Sequence, residues 1–381
     1  MTGEKRNGNG HNHTLPTDKR YAHVVGWGKY IPEKVMTNDD LAKIVETSDE
    51  WIQQRTGIRE RHIADPKETT STMSVQAARE ALWVAGLNPS DLDLIIVATA
   101  TPDYIFPATA CLVQDALGAP HAGAFDLSVG CSGCGMFDNV LVIGAETLSR
   151  VVNWADRGTC VLFGDGAGAF VLRASNAPGG VLSYKLGADG SGGDLLCLPA
   201  GGSKHPISQE VIDQGLQFIR MDGQAVFKFA TRVLGRAAKE VCELAGLRLD
   251  QINMFIPHQA NLRIINNAAK FLKLPDERVM INVQKYGNTS AASIPIAFCE
   301  AVDEGRIKPG DNIVLVSFGA GLSWAAAALQ FEPVMPELKH TTRHMLKRWL
   351  DYNVASARSF VSHGLHHLDG AVGRARKEKE L

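Results

Sequence analysis

The same order of elements is written twice in this chain. An acidic residue, a short apolar run, a glycine-flanked stretch of small residues and an asparagine-led apolar run occupy 91–146, and the order recurs over 250–321. LDLIIVATA (92–100) and NVLVIGAE (139–146) in the first half answer INMFIPH (252–258) and NIVLVSFGAG (312–321) in the second. Such runs are too short for most helices and rich in β-branched residues, so they predict buried strands. Helical patterns over 72–86, 225–246 and 261–272 alternate with them, which points to an α/β fold. The expected architecture is two pseudo-duplicated α/β halves, 21–175 and 176–331, meeting near 174–180.

The repeat also acts as a ruler. Asp91 to Asn139 spans 48 residues and Asp250 to Asn312 spans 62. The longer interval predicts a helix over about 291–303, where the shorter has only 132–138. At 1.5 Å per residue, the missing 14 residues equal about 21 Å of helix. The first half is expected to lack an element that the second half has. Two helix starts are predicted near the N-terminus, at Thr37 with Asp40 and at Thr47 with Glu50, from the hydroxyl-x-x-acid pattern.

Composition narrows the class. A net charge of −2 over 381 residues argues against a dedicated nucleic-acid binder, and 45% hydrophobic content excludes disorder. No apolar run reaches the length of a membrane span. Seven scattered cysteines, without an apolar signal segment, predict reduced thiols and a cytoplasmic location. Residues 1–20 are expected to be a disordered tail. After Phe331 a proline-punctuated linker leads to an amphipathic, basic segment, so 332–381 is expected to be a helical extension packed on the body or on a dimer mate.

Nucleotide-binding, zinc-hydrolase and nucleophile-elbow motifs are missing. Three small-residue segments each hold one chemically useful side chain: VGCSG around Cys131, FIPHQAN around His258 and YGNTSAAS around Asn288. A thiol, an imidazole and an amide can assemble a nucleophile with oxyanion donors. Taken singly, each also has a plain structural explanation, as a packed thiol, a satisfied histidine and a turn asparagine.

Further motifs accompany these three. They include SDEWIQQRTGIRERHIA (48–64), ATPDYIFPATACLVQDALGA (100–119), DLSVGCSG (126–133), VIGAETLSR (142–150), RGTCVLFGDGAGAFVL (157–172), IPHQANLRII (256–265) and SFGAGLSW (317–324). In this order they resemble the β-ketoacyl-acyl-carrier-protein synthase III family, whose fold is that of the thiolases. The resemblance implies condensation of an acyl-CoA primer with malonyl-acyl-carrier protein, by a homodimer that needs no cofactor or metal. It makes Cys131 the nucleophile, with His258 and Asn288 as donors to the malonyl thioester carbonyl. Backbone amides of Cys131 and of Gly319, Ala320 and Gly321 would form a second oxyanion hole. Trp51, Arg55 and Arg157 would hold CoA, Arg263 and Lys270 would face the carrier protein, and Phe106 would close the acyl pocket across the dimer.

The sequence departs from the family where CSG runs through CGMF directly into DNVLVIGAE, with no helix between. Loss of that helix would raise the Cys131 pKa, because a helix N-terminus stabilises a thiolate. It also creates a C-x-x-C of Cys131 and Cys134. Two rival expectations follow: a relative that binds CoA or carrier protein without condensing, and a thiol redox protein using that cysteine pair.

Overall fold

The structure is a computed structural model and describes residues 20–127 and 137–332. Expectations on the N-terminal tail, on Cys131 and Cys134, and on the C-terminal extension fall outside the described residues.

The chain opens with β1 (Tyr21–Tyr30). A small pair, β2 (Lys34–Thr37) and β3 (Glu60–Ile63), brackets α1 (Asn38–Ala42) and α2 (Asp49–Thr56). Then come α3 (Thr70–Ala85), β4 (Leu94–Ala98), α4 (Thr109–Leu117), β5 (Gly123–Leu127), β6 (Asn139–Glu146) and β7 (Gly166–Ser175). The remainder runs β8 (Gly180–Ala188), β9 (Leu196–Cys197), α5 (Gln209–Asp213), β10 (Arg220–Met221) and α6 (Gly223–Leu244). It ends with β11 (Met254–Pro257), α7 (Leu262–Leu272), α8 (Val283–Tyr286), α9 (Ser293–Asp303), β12 (Asn312–Gly319) and β13 (Ser323–Gln330).

Two sheets carry the fold, in the orders β1-β7-β6-β4-β5 and β8-β13-β12-β11. A parallel bridge between Phe255 and Val279 puts a fifth position beside β11, so both sheets share one plan. Even the bonds at the strand entrances are duplicated. Asp93 N–H donates to Asn139 O at 3.0 Å, and Asn253 N–H donates to Asn312 O at 2.9 Å. Asn139 Nδ2 donates to Asp91 O (3.0 Å), as Asn312 Nδ2 does to Gln251 O (3.1 Å). The structural partner of Asp91 is therefore Gln251, one residue beyond Asp250, and the two intervals are 48 and 61 residues.

α3 and α6 cover the outer faces of the two sheets, packing on β1 and β7 and on β12 and β13 respectively. α9 lies on the inner side, where Phe298 meets Phe170 edge-on at 5.0 Å and packs near Trp27 and Phe331. The connection from Val279 to β12 supplies 32 residues, which include α8 and α9. The equivalent connection from β5 to β6 has 11, at the short limit for joining two strands that both run parallel to β4.

Local details differ from the sequence pattern at two caps. Thr37 forms the expected capping box with Asp40, but α2 is capped by Ser48, whose Oγ accepts from Trp51 N–H at 3.1 Å. Ser48 is the last extended residue before the helix, so its hydroxyl meets that amide, and Thr47 Oγ1 is buried without a partner. α3 starts two residues before 72 because Thr72 is the third residue of a box closed by Thr69.

α3 packs on β1 with backbone against backbone. A Cβ on Gly26 would stand 2.1 Å from Ala81 O, and one on Gly28 would stand 2.3 Å from Ala77 O. Replacing Gly26 with valine must push the helix off the strand. Gly26→Val is expected to lower unfolding stability by about 3 kcal/mol or more, measured by urea denaturation.

Candidate active site

His258 follows directly on β11 and is held by its own backbone, which donates to Val316 O of β12 at 2.8 Å. The ring is 7% exposed and lies edge-on to Phe318 at 5.2 Å. Its Nδ1 is 2.6 Å from Ser293 Oγ, at the start of α9. That hydroxyl accepts from Gln259 N–H at 3.4 Å, so its own proton is free to go to Nδ1. The assigned tautomer therefore carries its proton on Nε2. Desolvation pushes the imidazole pKa down to about 4, which keeps the ring a neutral donor at neutral pH. Gln259 fixes the neighbouring chain: its Nε2 donates to Pro257 O and Met280 O, and its Oε1 accepts from the amides of Asn282 and Val283.

Asn288 sits on a turn that only close backbone contact permits. Gly287 has φ +64°, and a Cβ there would stand 2.9 Å from Leu162 O. Asn288 N–H donates to Leu162 O (2.8 Å), and Gly164 N–H donates to Asn288 O (3.0 Å). The asparagine of the second half is thus laced to the glycine-rich loop of the first. Its Oδ1 accepts from Ser290 N–H at 2.9 Å, which leaves Nδ2 as the end it offers to the cavity.

Sequence reasoning missed Ser293, Gln259 and Glu146. Glu146 ends β6 and is 1% exposed. Its carboxyl accepts from Thr101 Oγ1 (2.5 Å), Ala100 N–H (3.1 Å) and Thr99 Oγ1 (3.3 Å), and it also interacts with the Ser290 side chain. Burial raises its pKa. It ties β4 and β6 to the turn that carries Asn288. The signal in the sequence was an acid closing an otherwise apolar strand, VIGAE.

His258, Asn288, Gly319 and Ala320 line one cavity, while Gly321 turns the chain just beyond with φ +127°. Trp51, Arg55 and Arg157 line the same cavity: the guanidinium of Arg55 lies 4.2 Å from the Trp51 ring centroid and that of Arg157 lies 5.2 Å away. Asn261 joins α2 to α7 by capping α7 through Arg263 N–H and donating to Arg55 O at 3.0 Å. Arg263 lies over Phe227 at 5.0 Å and reaches the cavity. Lys270 is exposed in the last turn of α7, away from the lining. Phe106 is 85% exposed, beside the exposed Tyr104 and Ile105.

Two like sheets with an inner helix, and two neutral N–H donors, one directly after β11 and one on the turn between α8 and α9, define a thiolase-like condensing enzyme. Residues 125–190 match the family profile described as 3-oxoacyl-[acyl-carrier-protein (ACP)] synthase III, and residues 242–331 match its C-terminal profile. The β-ketoacyl-[acyl-carrier-protein] synthase III of Caldanaerobacter subterraneus subsp. tengcongensis is 55% identical over 327 residues, covering 82% of this chain and 99% of its own. That of Symbiobacterium thermophilum is 53% identical over 321 residues, 81% of this chain and 97% of its own. The crystal structure of the Aquifex aeolicus synthase III superposes with a TM-score of 0.74 at 48% identity, covering 81% of this chain and 99% of that one. The chain belongs to the β-ketoacyl-acyl-carrier-protein synthase III family, the acyltransferases that initiate fatty acid synthesis by condensation.

The buried His258 makes stability depend on pH with a known sign. Its folded pKa lies below the ordinary value of 6.5, so between pH 6.5 and about 4 the unfolded chain binds the extra proton. Stability from this site is present at neutral pH and falls as the pH drops through that window, by about 3 kcal/mol in all. Denaturant melts at pH 7 and pH 4 should show this loss, and His258→Gln should remove it.

Proposed function

We propose that this chain uses Cys131 as the nucleophile of a two-stage condensation in the cytoplasm. The Cys131 thiolate attacks the carbonyl of an acyl-CoA, and the CoA thiolate leaves. Malonyl-acyl-carrier protein then binds with its thioester carbonyl between His258 Nε2 and Asn288 Nδ2. Loss of carbon dioxide puts the electron pair into an enolate, whose oxygen these donors hold. The enolate carbon attacks the acyl-enzyme carbonyl, Cys131 leaves as thiolate, and 3-ketoacyl-carrier protein is released. Backbone amides at Cys131 and over 319–321 serve the acyl-transfer steps. No charged side chain is needed at the enolate: two fixed neutral donors in a dry wall are worth most where charge develops. The observation that carries this assignment is the convergence of His258 and Asn288 on one cavity, each with its other polar end already engaged.

The same proposal gives Trp51, Arg55 and Arg157 to CoA, since a flat ring flanked by guanidiniums suits an adenine nucleotide. Arg263 and Lys270 on α7 offer positive charge to an acidic carrier protein. A homodimer is supported by the exposed apolar run Tyr104–Ile105–Phe106 and by β5, which among the described residues is an edge strand bonded to β4 alone. The shortened connection after Cys131 is supported by the 11 residues between β5 and β6. It also agrees with an alignment of 327 positions that takes up only 82% of a 381-residue chain.

Incubation with acetyl-CoA should add one acyl group to Cys131, read by mass spectrometry of the folded protein. No adduct would leave a binding protein without condensing activity. His258→Ala and Asn288→Ala should each cut condensation with malonyl-acyl-carrier protein by about 10²–10³-fold. Both variants should still form the acyl adduct.

A further inference from the structure

α8 is a single turn, gripped at both ends by one carboxylate. Glu300 of α9 is 7% exposed. Its Oε2 accepts from Asn282 Nδ2 at 2.8 Å, at the residue that precedes α8. Its Oε1 accepts from Tyr286 OH at 2.6 Å, at the last residue of α8. Lys285 Nζ stands 3.5 Å from the same oxygen, on a half-exposed side chain. Burial, and after it the bond to Glu300, pushes the Tyr286 pKa up, so the phenol keeps its proton and stays a donor.

Each of these bonds leads to one of the two neutral donors. Asn282 N–H donates to Gln259 Oε1 at 2.9 Å, and Gln259 Nε2 donates to Pro257 O at 2.7 Å, on the residues that flank His258. Tyr286 stands two residues before Asn288. Its carbonyl is pressed on Gly164, where an added Cβ would lie 2.3 Å away. The same helix carries Ser293, which holds His258 Nδ1. Ser293 and Glu300 are seven residues apart, two turns along one face of α9, or about 10 Å. α9 therefore touches the His258 segment at its first turn and grips α8 two turns on.

We propose that Glu300 is a positioning residue for the condensation stage: its two oxygens lock α8 and so fix the spacing of His258 Nε2 and Asn288 Nδ2 on the malonyl thioester carbonyl. This rests on the condensation reading of those two donors. The clamp works by hydrogen-bond geometry, since Asn282 and Tyr286 are both neutral. An amide of the same shape can grip the same two groups once the Asn282 amide turns over. Removing the side chain leaves two buried donors unpaired and α8 free to shift.

The test uses the full chain and two readings that need different residues. Acyl transfer from acetyl-CoA to Cys131 is followed by mass spectrometry. Release of carbon dioxide from malonyl-acyl-carrier protein without primer takes up a proton and leaves acetyl-acyl-carrier protein. It reports on the two donors and gives kcat and KM. Glu300→Ala should lower this kcat by about 30–100-fold, with KM and acyl transfer changed by less than about three-fold. Glu300→Gln should bring kcat back to within about five-fold of the unsubstituted chain. Tyr286→Phe keeps the ring and removes one bond. It should lower kcat by about five- to ten-fold, and it carries the test if Glu300→Ala does not fold. Equal losses in both readings for Glu300→Ala, or no loss for Tyr286→Phe, would overturn the assignment, because Glu300 would then support the fold and nothing more. Glu300→Gln as slow as Glu300→Ala would overturn it too, since charge and not geometry would be at work. If the unsubstituted chain takes no acetyl group but releases carbon dioxide, the Cys131 reading falls, and the kcat pattern still decides this proposal. If it releases no carbon dioxide, the reading of His258 and Asn288 falls, and the Glu300 proposal falls with it.

Discussion

At the centre of the molecule two backbones touch with no side chain between them. A Cβ on Gly144 of β6 would stand 2.1 Å from Ala291 O, in the turn between Asn288 and α9. This contact sets the distance between the halves and lets Glu146, two residues on, reach the Ser290 side chain. Gly164 makes a second contact of the same kind, where an added Cβ would lie 2.3 Å from Tyr286 O. Asn288 is pinned from both sides because glycines allow the first half to come that close. The donors of the second half therefore take their positions from the backbone of the first.

Around that contact the chemistry is one of neutral groups made rigid. His258 is kept uncharged by burial and oriented by a serine hydroxyl, and Asn288 is oriented by an amide from its own turn. Among the described residues neither is in an ion pair, so neither donor is held by an opposite charge when negative charge forms nearby. Glu146 reaches the turn that carries Asn288, and burial disfavours its charged form.

Much of this was legible in the sequence. The apolar runs at 92–100, 139–146 and 312–321 become β4, β6 and β12, and the period of α6 and α7 was plain because each has one buried face. The duplication was visible as well, although the pairing of Asp91 with Asp250 slipped by one residue. Hydrogen bonds set the true register, and an acid on each side of the slip concealed it. Ser48 was passed over because two adjacent hydroxyl residues fit a cap pattern and only backbone angles choose between them. His258 and Asn288 stood out through motif resemblance. Ser293 and Glu146 did not, since their roles arise from contacts with residues 35 and 45 or more positions away.

The cavity that His258 and Asn288 line, about 1030 Å³ in volume, also bears on how firmly the protein holds together. At about 24 cal/mol per Å³, a sealed and dry void of this size would cost roughly 25 kcal/mol, more than the ~5–15 kcal/mol by which domains are stable. The space must hold water against apolar walls or hold a guest. A guest bound at a hundred times its dissociation constant adds about 2.7 kcal/mol to the folded state. Resistance to heat in this protein is then a property shared with its ligand, and a preparation freed of bound substrate is a different thermodynamic object from one that is not.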